Sequence, residues 1–285
     1  MKLKHLIAII GLSFAASMQV QAADMKELRV GQDPTYEPFE YKTPDGKLVG
    51  FEVDIANALC AEMKMKCVFF DQSWEGIIPS LLAKKYDVII SSMSATDERK
   101  KTVIFSDKIY NTPSRVVVKR GSGIDGSPAS LKGKKIGVLK GSTQEAYSNK
   151  VFAKAGATVV GYGTTQDSYL DMASSRLDAL VADIVEVKAG LLTKPEGKPF
   201  ESVGTDLNDP TFKVGTAVAL RKTDTKLREQ INVAIKTIRT NGTYQKIADK
   251  YFNTYFNAPD KNFCRRALCG LESTVRGSPC SSITP

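Results

Sequence analysis

The chain has 285 residues, 42% hydrophobic and 25% charged, which are values of a globular protein rather than of a disordered or multi-span membrane chain. Its formal net charge of +9 is spread along the chain, and the one local cluster, Lys132-Gly133-Lys134-Lys135, is short and free of aromatics, so no nucleic-acid surface is expected. The single histidine, His5, lies at the extreme N-terminus, and a body without imidazole excludes Ser-His-Asp and Cys-His nucleophiles and His-ligated metals.

Lys2 and Lys4, the apolar run from Leu6 to Ala16 and the small-residue ending Val20-Gln21-Ala22 describe a secretory signal peptide over residues 1–22, cleaved after Ala22. The run is shorter than the ~20 residues needed to span a bilayer, and no comparable run follows. The first cysteine is Cys60, so no cysteine is available for lipidation at the new N-terminus. A freely soluble periplasmic protein is expected.

Leu28-Arg29-Val30 reads as a strand ending in the turn-rich Gly31-Gln32-Asp33-Pro34. Phe51, Ile55, Leu59 and Met63 recur every four residues and share one helical face. Val68-Phe69-Phe70 is the next strand, followed by an amphipathic helix over Trp74 to Lys85 with Ile77, Ile78, Leu81 and Leu82 as its apolar residues, and by the buried strand Val88-Ile89-Ile90. Strands alternating with helices imply βαβ units and a mostly parallel sheet. After Asn111-Thr112-Pro113-Ser114, read as a crossing point, the rhythm restarts. Strands are expected at Val116-Val117-Val118, Ile136 to Leu139, Thr158-Val159-Val160 and Ala179-Leu180-Val181, with helices over Thr143 to Ala155 and Ser168 to Leu177. Val214 to Leu220 reads as a last strand, and Leu227 to Ile238 and Tyr244 to Tyr251 as helices broken by Asn241-Gly242. Periodicity does not decide which unit those last elements join.

The five cysteines divide into two groups. Cys60 and Cys67, at the end of a helix and the start of a strand, suit a disulfide in an oxidising compartment, with two free buried thiols as the alternative. Cys264, Cys269 and Cys280 fall in a segment over 259–285 rich in Ser, Arg and Gly, with no metal-like spacing, and that segment reads as disordered or non-native.

Five stretches, by their order and spacing, carry a resemblance. They are Gly31-Gln32-Asp33-Pro34-Thr35-Tyr36-Glu37-Pro38-Phe39, Gly50-Phe51-Glu52-Val53-Asp54, Ile89 through Arg99, Gly137-Val138-Leu139-Lys140-Gly141-Ser142-Thr143-Gln144 and Arg176-Leu177-Asp178-Ala179. Over about residues 26 to 256 the chain resembles the periplasmic amino-acid-binding proteins of ABC importers, on the lysine/arginine/ornithine and histidine branch. The resemblance implies an α/β, two-lobed periplasmic-binding-protein fold of type II, with the ligand cleft between lobes joined by two crossovers. Lobe one would be 23–110 plus 216–258, lobe two 115–207, and the hinge crossovers 111–114 and 208–215.

The same resemblance assigns a cleft. Arg99 would hold an α-carboxylate with its planar fork, although an arginine among Asp97, Glu98 and Lys100 is ordinarily a surface ion-pair member. Ser92 and Ser94, just past a strand end, would offer hydroxyls, and Gly141-Ser142-Thr143-Gln144, with Leu139 before it, would present amide N–H groups to an anion or simply cap a helix. Asp183 would accept the α-ammonium. Tyr36 and Trp74 would flank the ligand's side chain, with Asp33 facing its distal charge and Ser91 alongside.

Two features depart from the family pattern. One is the segment from 259; the other is Lys140, which would repel a cationic side chain if it pointed inward. The implied function is binding of a cationic L-amino acid (arginine, ornithine, lysine or histidine) for an ABC permease, by a monomer without cofactor, metal or catalysis. The alternatives are another amino acid or opine as ligand, or a dehydratase-like periplasmic enzyme using a carboxylate such as Glu40 or Glu145 as acid. The leader gives the first expected outcome: N-terminal sequencing of the exported protein should read from Ala23, and an intact Met1 would refute the cleavage.

Overall fold

The computed structural model describes residues 26–255. The leader, its cleavage site, the segment from 259 and its three cysteines lie outside the described residues. In chain order the first part runs β1 (Glu27–Gln32), β2 (Thr35–Tyr36), β3 (Glu40–Lys42), β4 (Leu48–Val49), α1 (Phe51–Glu62), β5 (Lys66–Asp71), α2 (Ile77–Leu82), β6 (Val88–Ile89), α3 (Asp97–Lys100) and β7 (Val103–Phe105). The second part is β8 (Ser114–Lys119), β9 (Lys135–Leu139), α4 (Thr143–Ser148), β10 (Thr158–Tyr162), α5 (Thr165–Ala173), β11 (Ala179–Asp183), α6 (Ile184–Val187) and β12 (Phe200–Val203). The chain ends with α7 (Pro210–Lys213), β13 (Ala219–Arg221), α8 (Thr225–Thr240) and α9 (Thr243–Tyr255).

These strands build two five-stranded sheets, ordered β5-β1-β6-β13-β7 and β10-β9-β11-β8-β12, and a small antiparallel sheet β2-β3-β4. The two-lobed α/β architecture is that of the type II fold. In each large sheet the three strands linked through helices are parallel. The two remaining strands of each sheet, β13 and β7 in one and β8 and β12 in the other, pair antiparallel, since they enter from the connecting segments rather than through a helical crossover.

The stripe read from the sequence sets α1. Phe51, Ile55 and Leu59 are fully buried, and Met63 packs against the same core. The helix has no side-chain cap; its first amides, those of Phe51 and Glu52, donate instead to the carbonyls of Pro38 and Phe39 at 2.9 and 2.8 Å. Gly50 makes that approach possible: at φ 140° a Cβ there would lie 2.1 Å from the Phe39 carbonyl oxygen. The aromatic rings of Phe39, Tyr110 and, from α9, Tyr244 and Phe252 surround Phe51, and α8 packs on α1 through Ile231, Ile235 and Ile238, so both helices belong with the first sheet, a choice that periodicity leaves open.

Three of the elements read from the sequence change most. Trp74–Gly76 is a 3₁₀ turn and α2 begins only at Ile77, because Pro79 has no N–H to donate back into a longer α-helix. The helix from Thr143 widens to π geometry over Asn149–Ala153. The strand expected over Val214 to Leu220 shortens to β13, because the residues before it pair with the segment leading into the other crossover. There the Ile109 amide donates to the Thr216 carbonyl and the Thr216 amide to the Tyr110 carbonyl, each at 2.8 Å. Gly215 allows this contact, since at φ 79° a Cβ would meet Lys108 and the Tyr110 carbonyl.

Cys60, at the end of α1, and Cys67, in β5, are bonded, with Cα atoms 5.8 Å apart. Closing so short a loop, of sequence separation 7, contributes roughly 2–2.5 kcal/mol in the chain-entropy model. Denaturant unfolding of the Cys60→Ser/Cys67→Ser double variant should show a loss of about that size, and mapping of unreduced protein should recover the two cysteines in one linked peptide. Recovery of both as free thiols would refute the bond.

Candidate functional site

All twelve residues singled out for ligand binding line one cavity between the sheets, about 730 Å³ with its open mouth. Strand polarity brings them together. Asp33 follows β1, Ser91 follows β6, Leu139 ends β9 and Asp183 ends β11, so the carboxyl ends of parallel strands from both lobes face one crevice.

On the first wall, Asp33 accepts from the Thr35 hydroxyl and the Trp74 amide, both at 2.7 Å, while its own amide donates to Ser91 Oγ at 2.9 Å. Ser91 Oγ in turn donates to Glu40 at 2.9 Å. Ser92 sits at φ 48°, which turns its hydroxyl to within 2.9 Å of the Tyr110 hydroxyl. Arg99, in the short helix α3 capped by Thr96, donates to the carbonyls of Ser94 (2.9 Å) and Gly141 (3.0 Å), and its guanidinium lies 5.0 Å from the Trp74 ring centroid. A guanidinium has five N–H groups, so an incoming carboxylate can share it with these two carbonyls.

On the second wall, the Ser142 side chain accepts from the Glu145 amide at 3.0 Å, and Thr143 and Gln144 form the first turn of α4. Gln144 donates to Ser114 Oγ at 2.9 Å, which fastens that turn to the strand entering the lobe. Asp183 caps α6, accepting from the amides of Val185 at 2.8 Å and Glu186 at 3.3 Å, and it also accepts from the Thr112 hydroxyl. Behind it Glu186 accepts from Thr165, at 3.0 Å, and from Tyr169.

Burial dominates the electrostatics. It pushes the Asp183 carboxyl up to about 6, against the hydrogen bonds from Thr112 and the helix amides, and Glu186 up to about 8. It also raises Asp33 and, lowering a cation, brings Arg99 to about 10, still charged at neutral pH. The cavity therefore sets one arginine beside several desolvated carboxyls. It can hold an anionic group at one end and cationic groups elsewhere.

Lys140 points away from this arrangement: its ammonium pairs with Glu75 of the other lobe at 3.0 Å. Glu40, Thr112, Ser114 and Thr165 also line the cavity and were not read as ligand contacts. Glu40 stood out in the sequence only as a possible acid. Its inward orientation comes from a three-residue strand, too short to show alternation. Among the described residues no cluster of three or more His, Cys, Asp or Glu side chains is placed to hold a metal, and none is a helix long and apolar enough to cross a membrane.

The sequence profile of the bacterial extracellular solute-binding proteins, family 3, matches residues 28–254. The L-arginine-binding protein of Pseudomonas aeruginosa is 46% identical over 254 residues, covering 89% of this chain and 97% of the relative. The lysine/arginine/ornithine-binding periplasmic protein of Escherichia coli is 44% identical, covering 86% of this chain and 94% of its own length. Among solved structures, an ancestral arginine-binding protein bound to arginine superposes with a TM-score of 0.74 at 37% identity, covering 80% of this chain and 99% of that one.

The buried carboxyls fix a pH trend. Asp183, Glu52 and Glu186 hold their protons more tightly folded than unfolded, with folded values of about 6, 6 and 8. The folded state therefore binds the extra protons, and the stability they confer is lost as pH rises through those values. Thermal unfolding of ligand-free protein should give a Tm several degrees higher at pH 5 than at pH 8, at about 2–4 °C per kcal/mol for a domain of this size. A Tm that rises from pH 5 to pH 8 would contradict the burial of these groups.

Proposed function

Since the chain belongs to the bacterial extracellular solute-binding proteins of family 3, we propose that it captures a cationic L-amino acid in the periplasm and presents it to the permease of an ABC importer. Arginine, ornithine and lysine lead the candidate ligands, with histidine behind them. The observation that carries this reading is the charge pattern of the cavity, one arginine against the carboxyls Asp33, Glu40 and Asp183. Arg99 takes the α-carboxylate together with the first turn of α4, and Asp183 takes the α-ammonium. Asp33 faces the distal nitrogen, while Tyr36 and Trp74 flank the aliphatic stem. Relatives named for binding arginine and lysine/arginine/ornithine support the same choice.

In this reading the protein is made with a cleaved leader over 1–22, works as a soluble monomer and does no covalent chemistry. Residues 111–114 and 208–215 serve as the hinge between the lobes. Micromolar affinity requires about −8 kcal/mol, which a bidentate arginine, buried carboxyls and a stacked side chain supply once closure is offset. Glu40 is the group that an enzymatic reading would use as acid. Recovery of the ligand unchanged after prolonged incubation separates binding from turnover.

A thermal-shift screen across the amino acids should rank arginine, ornithine and lysine above glutamine and far above glutamate. Arg99→Ala or Asp183→Asn removes a partner from a desolvated charge and should cost about 2–5 kcal/mol for every amino acid alike. Asp33→Asn should weaken the cationic ligands far more than glutamine. Stabilisation by glutamate with none by the cationic set would overturn the assignment, as would calorimetric affinity unchanged within a factor of three in the Arg99 variant.

A further inference from the structure

Below Asp33, two more carboxyls meet in the interior. Glu40, from β3, and Glu52, the second residue of α1, are 1% and 0% exposed and meet at Ser92, whose amide donates to Glu52 at 2.6 Å and whose hydroxyl donates to Glu40 at 3.4 Å. Glu40 lines the cavity, and Glu52 stands one layer deeper. Glu52 accepts from the Ser92 amide at 2.6 Å and from the Tyr110 hydroxyl at 2.9 Å; Glu40 accepts from Ser91 Oγ at 2.9 Å. The other groups facing the pair are Asp33 on the turn after β1, Tyr36 on β2 and Tyr110 just before the first crossover, all acidic or neutral. No lysine or arginine among the described residues forms an ion pair with either carboxyl.

Two carboxylates this close in a dry interior cannot both be ionised, so the pair keeps one proton between them. The donors decide where it sits. Both Glu52 oxygens accept, one from the Ser92 amide, which can only donate, and one from the Tyr110 hydroxyl, so Glu52 is the ionised partner and Glu40 retains the proton on the cavity side. Burial and the neighbouring charge of Glu52 raise Glu40 well above the ordinary carboxyl range.

We propose that the proton on Glu40 is released to solvent when an amino acid with a cationic side chain occupies the cavity, and is retained when the side chain is neutral. Glu40–COOH becomes Glu40–COO⁻ and a proton, with no other bond changed, because the incoming charge replaces the proton as counterion to the pair. Selectivity for cationic over neutral amino acids then rises with pH. This rests on the cationic-ligand reading given above. Asp183 does not enter the comparison, since every amino acid brings the same α-ammonium to it.

The test is titration calorimetry of the full protein with arginine and with glutamine, in buffers of different ionisation enthalpy at pH 7. Arginine should release about 0.5–1 proton more than glutamine, and from pH 6 to 8 its affinity relative to glutamine should improve by up to about tenfold per pH unit. Glu40→Gln should abolish the difference in proton count, whereas Asp33→Asn, though it weakens arginine, should keep it. Equal proton counts for the two ligands in the wild-type protein overturn the proposal alone. So does a difference that survives Glu40→Gln and disappears with Asp33→Asn. No binding by any cationic amino acid overturns the reading of the cavity and this proposal with it.

Discussion

A buried carboxyl without a protein cation beside it is the constraint on which this cleft depends. Asp33, Glu40, Glu52, Asp183 and Glu186 are each at most 7% exposed, and none forms an ion pair among the described residues. Removing an ionised carboxylate from water costs several kcal/mol unless it is paired, so such groups take up a proton, recruit amide and hydroxyl donors, or wait for a cation from outside. All three responses are visible here. Asp183 recruits helix amides, Glu40 and Glu52 meet at Ser92 where one proton can serve both, and the open side of Asp33 faces the cavity. The empty protein is thus unbalanced in one sense of charge, and a ligand of opposite sign relieves the imbalance.

The contacts that close the mouth of the cleft are of another kind. Lys140 with Glu75 and Lys194 with Glu37 join the lobes through exposed or half-exposed ion pairs, the sort worth about 0–1 kcal/mol each. Gln166 donates to the Thr35 carbonyl at 2.7 Å, and Arg99 to that of Gly141. These are weak tethers set against a large desolvation term. Closure therefore depends on what fills the cavity more than on what lines its rim, as a protein that must release its cargo requires.

The sequence made the lobe architecture and the long elements legible where periodicity was strong. Phe51, Ile55 and Leu59 marked α1, and the β-branched runs around Val88, Val116 and Ile136 marked strands of the two sheets. It said little of β2, β3 and β4, whose two- or three-residue strands contain less than one period of alternation. Nor could it place α8 and α9, because their lobe is fixed by packing on α1, aromatic on Phe51 for α9 and aliphatic through Ile231, Ile235 and Ile238 for α8, from residues nearly two hundred positions away. In the site, residues at strand ends and in a recognisable stretch were readable in advance. Glu52 was not, since a carboxylate in a helix's first turn usually serves the helix dipole at the surface. Here the tether to Pro38 and Phe39 turns it inward beneath Ser92.

Tryptophan occurs once in the sequence, as Trp74, and the fold places it where the lobes meet. Its ring lies against the Arg99 guanidinium, and its Nε1 faces Gly141 across the mouth of the cleft. Light absorbed selectively by the indole is therefore emitted from a single site whose neighbours belong to both lobes. Opening replaces the Gly141 backbone edge with water beside that ring, so the position and intensity of its emission follow the lobes without any attached dye. The chain carries its own optical gauge of closure.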